Sequence, residues 1–465
     1  MKKKISLVIL TCMILSMLFS LTSCDAISRF IAGFNPPILN GVKLSEYVIV
    51  FDSDAPDYNE RAAQYIHDRA FELGVRLDVV DDDQAPAEHE IVVGETSRSI
   101  SRELDSETAG VEFAILYSNG SVALEGDFFV IAAAAYFFAE TYIPSSGYEG
   151  TVLGTATVHK PITKEAKNYI MLIGDGMGVY QTLLFDYLDH ECDYSDGEDL
   201  FYGYMLPYRG YSRTESLSGV TDSAAGGTAL ACGYKTINEY IGLDQNQQPI
   251  KSLTELASEK GKATAVMSTE TKTGATPSSF SAHSYDRNST SEILASQIET
   301  VKKYGTIIDC GFDYYTSKYI GVIEEHIEDT LAKVSGDEDG FFLMYEEAHI
   351  DKHCHKNDRT NTFKALIRFN QAIGRFMEFA FYNPDTFVLI TADHETGALL
   401  PGEDGKLHYN DDDHSAADVL VFAYGHNAEI FNGVTVENIQ IAHTIAHLMG
   451  EENFGDQSKH KSLLK

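Results

Sequence analysis

The 465-residue sequence predicts an α/β protein with a largely parallel central sheet flanked by helices, preceded by a smaller α/β unit. From about Lys167 onward, short apolar runs alternate with helix-like segments, which is the order typical of parallel sheets with covered faces. Residues 46–160 contain strand and helix patterns of their own. The composition, 44% hydrophobic and 23% charged, is that of an ordinary globular protein, and the length suffices for two domains.

Residues 1–23 have the pattern of a signal peptide. Three lysines follow Met1, and the apolar run Ile5–Leu21 is short and ends in small residues. The sequence Leu21-Thr22-Ser23-Cys24 resembles a bacterial lipobox, although an ordinary signal peptide with an incidental cysteine is the alternative. A lipidated Cys24 would hold the exported protein at the cell surface or in the periplasm by its lipid chains, with residues 24–45 as a tether.

The formal net charge of −35 limits the partners of this chain. It argues against nucleic acid, because no basic stripe is present to neutralise phosphates. It equally argues against electrostatic binding to anionic lipid, so the membrane would be reached only through the lipid anchor. We interpret the excess of acidic residues as a solvated surface.

Six cysteines are present, of which Cys12 lies in the predicted signal peptide and Cys24 is the predicted lipid site. The other four are Cys192, Cys232, Cys310 and Cys354. Their spacing predicts no disulfide framework, although export would permit one.

Residues 46–160 predict a small α/β accessory domain. The helix Asn59–Leu73, ended by Gly74, and the apolar helix Phe128–Tyr142 would pack on short strands. The predicted strands are Tyr47–Phe51, Val75–Val80, Ile91–Gly94, and Phe113–Tyr117 with Ser121–Leu124 as a hairpin around Ser118-Asn119-Gly120. No ligand-like cluster occurs here, which favours a spacer or a binding module.

Residues 165–465 predict the larger domain. Ser252 and Glu255 have capping-box spacing and open a helix that Gly261 can end, and a long helix covers about Thr360–Phe381. The predicted strands are Tyr169–Ile173, Ala263–Met267, Phe341–Met344, Thr386–Ile390 and Val419–Phe422. In such sheets the active site lies beyond the carboxyl ends of the strands.

Carboxylates and imidazoles gather at the ends of these strands. The residues concerned are Asp175, Glu346, Asp351, His355, Asp393, His394 and, just before the last strand, His414. A single aspartate at a strand end is more often a helix cap, so the prediction of a multinuclear metal site depends on the convergence of several residues. Aspartate and histidine suit Zn²⁺, and carboxylate and hydroxyl oxygens suit Mg²⁺. Two zinc ions about 3.5–4 Å apart would stabilise both oxygens of an in-line phosphoryl displacement.

Ser223 is followed by small residues that could open a helix. Such a serine usually serves as the helix cap. The free N–H groups and the macrodipole of a helix N-terminus would also favour a phosphate on this hydroxyl, and a bound metal would make it an alkoxide near neutral pH. Both interpretations remain open on these residues alone.

Seven ordered segments from Lys167 to the C-terminus resemble the motifs of alkaline phosphatases. They are Asn168–Gly178, Thr221–Ala225, Gly233–Asp244, Ala275–Pro277 with His283 and Arg287, Glu346 with Ile350–His355, Thr391–Glu395, and His414-Ser415. The resemblance implies the alkaline phosphatase fold and an exported enzyme that converts phosphate monoesters to an alcohol and inorganic phosphate through a phosphoserine intermediate. It also implies small-molecule substrates and, as in many relatives, a homodimer.

The same resemblance implies roles for individual residues. The implied metal ligands are Asp351, His355 and His414 for one zinc, Asp175, Asp393, His394 and Ser223 for a second, and Asp175, Thr276 and Glu346 for a magnesium. Ser223 would be the nucleophile. Arg287 would bind two phosphate oxygens as a bidentate fork, and Lys352 would lie near the phosphate.

One position departs from the family pattern. Bacterial relatives often carry an aspartate two residues before the metal-binding threonine, where it supports the magnesium through water. This chain has Gly274 there. No carboxylate can act from this position, so the affinities for magnesium and for phosphate are both expected to differ.

Three other functions fit parts of the pattern. A phosphodiesterase of the same superfamily would usually carry a threonine nucleophile and often lack the magnesium site, so Ser223, Thr276 and Glu346 favour monoesters. A sulfatase would need a Cys/Ser-x-Pro-x-Arg segment, which is absent around Ser223. A non-catalytic surface lipoprotein is the third alternative, and the complete set of zinc ligands stands against it.

Overall fold

The computed structural model describes residues 37–104, 108–143, 156–185, 200–311 and 321–464. The predicted signal peptide, the lipid site Cys24, the tether as far as residue 36, Cys12 and Cys192 lie outside the described residues. The chain divides into two compact units, with the boundary between Ile162 and Thr163. In the described ranges, no helix has the length and apolar character needed to cross a bilayer. Cys232, Cys310 and Cys354 are free thiols.

The first unit is built on a six-stranded mixed sheet with the order β4-β3-β5-β7-β6-β8. The strands of this sheet are β3 (Val48–Phe51), β4 (Asp78–Asp81), β5 (Glu90–Val93), β6 (Phe113–Ser118), β7 (Ser121–Glu125) and β8 (Thr157–His159), and the short strands β1 (Ile38–Leu39) and β2 (Val42–Lys43) pair with each other outside it. The helices of the unit are α1 (Tyr58–Glu72), α2 (Ser99–Glu103) and α3 (Val130–Tyr142). The predicted hairpin is confirmed: β6 and β7 pair antiparallel, and Asn119 and Gly120 between them have positive φ angles of 51° and 87°.

Two elements of this unit start later than their sequence patterns suggest. β4 begins at Asp78 instead of Val75, because the amide of Val75 still bonds the carbonyl of Ala70 in α1 at 3.0 Å. α3 begins at Val130 instead of Phe128, because Phe128 has a φ of 47°, outside the helical region.

The second unit contains an eight-stranded sheet with the order β12-β11-β13-β9-β14-β19-β10-β20. Its strands are β9 (Asn168–Gly174), β10 (Tyr208–Arg213), β11 (Ala263–Ser268), β12 (Ile307–Cys310), β13 (Phe341–Glu347), β14 (Thr386–Thr391), β19 (Val419–Tyr424) and β20 (Thr435–Glu437), with short strands β15 (Glu395–Thr396), β16 (Leu400–Pro401), β17 (Leu407–His408) and β18 (His414–Ser415) outside this sheet. Its α-helices are α4 (Val179–Thr182), α5 (Ser223–Cys232), α6 (Leu253–Glu259), α7 (Ala275–Ser279), α8 (Thr290–Tyr304), α9 (Gly321–Val334), α10 (His349–Cys354), α11 (Arg359–Tyr382) and α12 (Asn438–Leu448).

Helices cover both faces of this sheet, because side chains along a strand alternate between the faces. On β13, Phe342 belongs to a buried cluster that includes Leu230 of α5. Its other face presents Tyr345, whose ring lies 6.3 Å from that of Phe369 in the long helix α11. The predicted α/β class with a largely parallel sheet is therefore confirmed. The predicted capping box is also present, since Ser252 and Glu255 each bond the other's backbone amide at the start of α6.

One strand of the large sheet runs against its neighbours, and this matters for the site. β19 pairs antiparallel with both β14 and β10, whereas the other pairings in the sheet are parallel. The amino end of an antiparallel strand lies at the same edge as the carboxyl ends of its parallel neighbours. His414, a few residues before β19, is thereby brought to the edge where Asp175 follows β9 and Asp393 follows β14.

Candidate active site

Ser223, the candidate nucleophile, is the first residue of helix α5. Asp222 precedes it in extended conformation and caps the helix, since its Oδ1 accepts a hydrogen bond from the amide of Ala225 at 2.9 Å. The sequence pattern allowed Ser223 to be the helix cap, but in the structure Asp222 is the cap. The hydroxyl of Ser223 is left to face His394, with Oγ 3.2 Å from Nε2.

Small residues let the site close around α5, every residue of which is buried. A Cβ atom added at Gly226 would lie 3.0 Å from the carbonyl oxygen of Asp393. A Cβ atom added at Gly227 would lie 3.0 Å from Oγ of Ser279 in α7. Helix α5 therefore packs directly against the end of β14 and against α7.

The first ligand group lies where β9 and β14 end. Asp175, Asp393 and His394 are buried, and one ligand atom of each lies within 4.8 Å of the others. His394 Nε2 is 3.5 Å from Asp175 Oδ1 and 3.3 Å from Asp393 Oδ2. The amides of Gly176 and His394 fix the second oxygen of Asp393, at 3.2 and 3.0 Å. With Ser223 beside them, the four residues predicted for the second zinc are brought together.

The second ligand group joins α10 to β18. Asp351 Oδ1 lies 3.4 Å from His355 Nε2 and 3.6 Å from His414 Nε2, and the two Nε2 atoms are 3.1 Å apart. The three residues predicted for the first zinc are thus also brought together. Exposed Asp413 lies within reach of both histidines as well, and the sequence reasoning missed it.

Backbone carbonyls fix the orientation of both histidines in this group. His355 Nδ1 lies 2.6 Å from the carbonyl oxygen of Asp412, and His414 Nδ1 lies 2.8 Å from that of Thr221. A carbonyl only accepts, so each Nδ1 donates its proton and each Nε2 is turned toward Asp351. Although burial opposes the charged form, the hydrogen bond to Asp351 and its charge raise the pKa of His414 to about 9. This position therefore attracts a cation, either a proton or a metal ion.

Thr396 connects the two groups, and the sequence reasoning did not find it. Its hydroxyl donates to Asp351 Oδ1 at 2.6 Å and lies 3.2 Å from His394 Nδ1. Because the hydroxyl proton is committed to the carboxylate, His394 Nδ1 must donate to Thr396, which leaves a lone pair on Nε2 facing Ser223. Thr396 lies two residues after His394, but a threonine in that position gives no chemical signal of its own.

Replacing Thr396 by valine, which keeps the shape and removes the hydroxyl, is expected to weaken zinc binding by about 10- to 100-fold, the usual cost of losing a hydrogen bond to a metal ligand. Competition with a chromophoric chelator measures this affinity. Thr264→Val is the matched control, since Thr264 is a buried threonine at the start of β11 whose hydroxyl bonds that of Thr306 at 2.8 Å. Equal zinc affinities in the two variants would contradict the role given to Thr396.

Of the predicted magnesium ligands, Asp175 follows β9, Thr276 lies in α7 and Glu346 lies near the end of β13. Residue Ser268 of β11 is paired in register with Glu346 of β13, and its hydroxyl donates to Glu346 Oε2. Thr276, the second residue of α7, is almost fully buried. Four buried oxygens at this edge have no hydrogen-bond partner among the described residues: Asp175 Oδ1, Asp393 Oδ2, Thr276 Oγ1 and Glu346 Oε1. Buried polar atoms are rarely left so, and oxygens of this kind fit hard divalent cations.

Two cationic side chains complete the site. Arg287 Nη1 donates to Asp222 Oδ2 at 3.1 Å, so the arginine is tied to the cap of the nucleophile helix. Lys352 Nζ donates to Glu270 Oε1 at 2.6 Å. The sequence reasoning missed Glu270, although the rule that found the other carboxylates would have found it, since Glu270 follows the end of β11.

Burial and mutual repulsion raise the pKa values of three carboxyl groups in the site. Burial, together with the charges of Asp393 and Asp351, raises the pKa of Asp175 well above its ordinary value. Burial and the charge of Asp351 raise the pKa of Asp393 to about 7. Burial and the charge of Glu270 raise the pKa of Glu346 to about 8. Divalent cations among these groups would favour their ionised forms.

A pH dependence of stability follows for the metal-free protein. Carboxyl groups whose pKa is raised by folding hold protons that the unfolded chain releases. Burial lowers the pKa of several histidines, among them His349 and His394, which opposes this effect until the histidines of the unfolded chain are neutral, so the free energy of unfolding falls as pH rises from about 6.5 to about 8. We expect the Tm of the chelated protein to fall across this range by at least about 1.5 °C, which about 1 kcal/mol produces in a unit the size of Thr163–Lys465. Circular dichroism measures it, with metal-loaded protein as control. An unchanged or rising Tm in the chelated protein would contradict the charge distribution described here.

The chain is similar in sequence and in fold to known alkaline phosphatases. The family model described as alkaline phosphatase matches residues 166–309 and 316–409, just over half of the chain. That span contains the predicted site residues except His414. Alkaline phosphatase 3 of Bacillus subtilis is 29% identical over 297 residues, which cover 53% of this chain and 64% of the relative. Alkaline phosphatase of Escherichia coli is 23% identical over 397 residues, which cover 63% of this chain and 84% of the relative.

Among solved structures, the alkaline phosphatase of the Antarctic bacterium TAB5 superposes with a TM-score of 0.53 at 25% identity, covering 62% of this chain and 99% of that protein. The fold and the family model lead to one conclusion: the chain belongs to the alkaline phosphatase family.

Proposed function

We propose that this chain is an exported alkaline phosphatase that hydrolyses small phosphate monoesters to an alcohol and inorganic phosphate. The observation that carries the proposal is the setting of Ser223. Its hydroxyl lies 3.2 Å from a histidine nitrogen that bears a lone pair, at the start of a buried helix whose cap also holds Arg287.

The two ligand groups and the orphaned oxygens support three metal positions. Asp351, His355 and His414 would hold one zinc, and Asp175, Asp393, His394 and Ser223 would hold a second. Asp175, Thr276 and Glu346 would hold a magnesium. When bound, these cations neutralise the negative charge that accumulates on phosphate and on the leaving oxygen. A solved variant of the TAB5 enzyme, 26% identical to this chain with a TM-score of 0.51, has Mg bound in its M3 site, which favours magnesium for the third position.

The chain's own residues carry out two displacements at phosphorus. The free N–H groups at the start of α5 favour an anion next to Ser223. Ser223 Oγ bonds to phosphorus as its hydroxyl proton passes to water, while the bond from phosphorus to the alcohol oxygen breaks and that oxygen takes up a proton from water and leaves as the alcohol. Water then displaces Oγ, which restores the serine and releases inorganic phosphate. Arg287 would bind two phosphate oxygens through both displacements, and its ion pair with Asp222 sets its position relative to Oγ.

The remaining sequence predictions complete the proposal. The chain would be exported by residues 1–23 and held by lipid at Cys24. Residues 24–45 would form the tether, residues 46–160 the accessory domain and residues 165–465 the catalytic domain. A homodimer is expected from the resemblance to many relatives.

The proposal is tested by the choice of ester. We expect purified protein to turn over a phosphate monoester faster than the matching phosphate diester and sulfate ester, because Ser223 and the magnesium ligands favour a monoester dianion. The three esters share one chromophoric leaving group. Differences in rate therefore depend only on whether the esterified acid is a phosphate monoester, a phosphate diester or a sulfate. Faster turnover of the diester would replace the proposal with a phosphodiesterase, and no turnover of any ester would favour a non-catalytic binding protein.

A further inference from the structure

Glu270 occupies a place in the site that no motif assigned. It lies two residues beyond the end of β11. Its backbone amide is held in place there, because it donates a hydrogen bond to Oγ of Ser268 at 2.9 Å. The same Ser268 hydroxyl donates to Glu346. One serine thus fixes the backbone of Glu270 and a carboxylate oxygen of the magnesium ligand Glu346.

The carboxylate of Glu270 fills the space that a side chain at position 274 would need. A Cβ atom added at Gly274 would lie 2.6 Å from Glu270 Oε2 and 2.8 Å from its Cδ. Gly274 has a φ of −57° and a ψ of 154°, which any residue can adopt. The glycine is therefore not required by the backbone conformation. Because Gly274 has no side chain, it leaves room for the Glu270 carboxylate. Gly274 itself lies two residues before Thr276.

The other Glu270 oxygen holds Lys352. The ion pair is short, at 2.6 Å, and its side chains are only 25% and 36% exposed. Lys352 follows Asp351 directly on α10, so the pair connects the end of β11 to the helix that carries a predicted zinc ligand. The charge of Glu270 is also felt by Asp175 and Glu346, whose carboxyl pKa values it raises.

We propose that Glu270 is a positioning residue of this site: from the end of β11 it supplies the carboxylate that position 274 lacks, holding Lys352 in place and adding negative charge beside Thr276 and Glu346. The inference rests on the proposed function, because it concerns the magnesium and phosphate positions of that site. It revises the expectation from sequence that Gly274 leaves the magnesium half of the site without a supporting carboxylate.

The test is a double-mutant cycle on the full-length protein. Glu270→Ala is expected to weaken Mg²⁺ binding by about 10- to 100-fold, as measured by calorimetric titration of the zinc-loaded protein. Gly274→Ala is expected to weaken it in the same direction, because the new methyl group displaces the flexible Glu270 side chain and leaves the backbone unstrained. In the double variant the Gly274→Ala change should add nothing, since the carboxylate that it displaces is already gone. Titration with inorganic phosphate should show the same non-additivity, because both changes act on Lys352.

Glu259→Ala is the matched control, since Glu259 pairs with Lys251 at the same 2.6 Å but precedes β11 instead of following it. It should leave both affinities unchanged, and equal Tm values across the set exclude misfolding as the cause. An Mg²⁺ affinity of Glu270→Ala within twofold of the parent would overturn the proposal, as would an equal effect of Gly274→Ala with and without Glu270. Both titrations are independent of turnover, so a protein that binds Mg²⁺ as expected but hydrolyses no monoester would refute the proposed function and leave the role of Glu270 standing.

Discussion

Replacing Ser223 by alanine is expected to lower the turnover of a phosphate monoester by at least about 10⁴-fold, the scale on which loss of a nucleophile acts in enzymes with a covalent intermediate. The change removes the attacking oxygen and little else. Asp222, not Ser223, caps α5, so the helix keeps its first hydrogen bond. The free energy of unfolding should therefore change by less than the roughly 1 kcal/mol that loss of a cap costs.

Two measurements check this expectation. Steady-state hydrolysis gives the loss of turnover, and mass spectrometry of acid-quenched parent enzyme should place a phosphoryl group on the peptide that contains Ser223. Ser258→Ala is a suitable control, because the Ser258 hydroxyl also lies in a helix and donates to the carbonyl of Tyr304 at 3.1 Å. Turnover in Ser223→Ala within tenfold of the parent would show that another group attacks phosphorus.

Removing the metals is expected to abolish turnover almost as completely, by at least about 10³-fold, which corresponds to about 4 kcal/mol of transition-state stabilisation. Without cations, the raised pKa values of Asp393 and Glu346 mean that the site carries protons in place of the charges that would balance phosphate. Arg287 and Lys352 remain, but each is already paired with a carboxylate.

Elemental analysis of the purified protein, before and after dialysis against a chelator, identifies the metals directly. We expect two zinc ions and one magnesium ion per chain, and we expect added Zn²⁺ with Mg²⁺ to restore turnover while Mg²⁺ alone does not. Dialysis against buffer without chelator serves as the control. Full activity in protein free of both metals would refute the assignment of the ligand groups.

The sequence predicted those parts of the site that depend on strand ends. Asp175 and Asp393 could be located because residues that follow parallel strands meet at one edge, whatever the details of packing. The antiparallel direction of β19 could not be predicted, since an apolar run reads the same in both directions. His414 was nevertheless grouped with the residues of this edge, from its position just before the last apolar run and from its family motif.

The residues that support the ligands were harder to predict. Thr396 and Asp412 act through a hydroxyl and a backbone carbonyl, and their importance depends on distances across the fold. Glu270 supplies its carboxylate from four residues before Gly274. A position-by-position comparison with the motif therefore shows a missing carboxylate at position 274, whereas in the structure a carboxylate reaches the same space from position 270. Ser223 and Asp222 are both good helix caps by composition, and only the geometry decides between them.

The contacts of Asp222 limit how this protein could evolve toward other substrates. One of its oxygens caps the nucleophile helix, and the other accepts from Arg287 and from the amide of Glu239. A substitution that removes both oxygens, such as alanine, would free the arginine for a differently charged ester but would also loosen the start of the helix that carries Ser223, whereas asparagine can keep the cap. At this position only a change to another capping residue, such as asparagine, would separate the two tasks, so most routes to new substrates are expected to run through other residues that line the approach to the site.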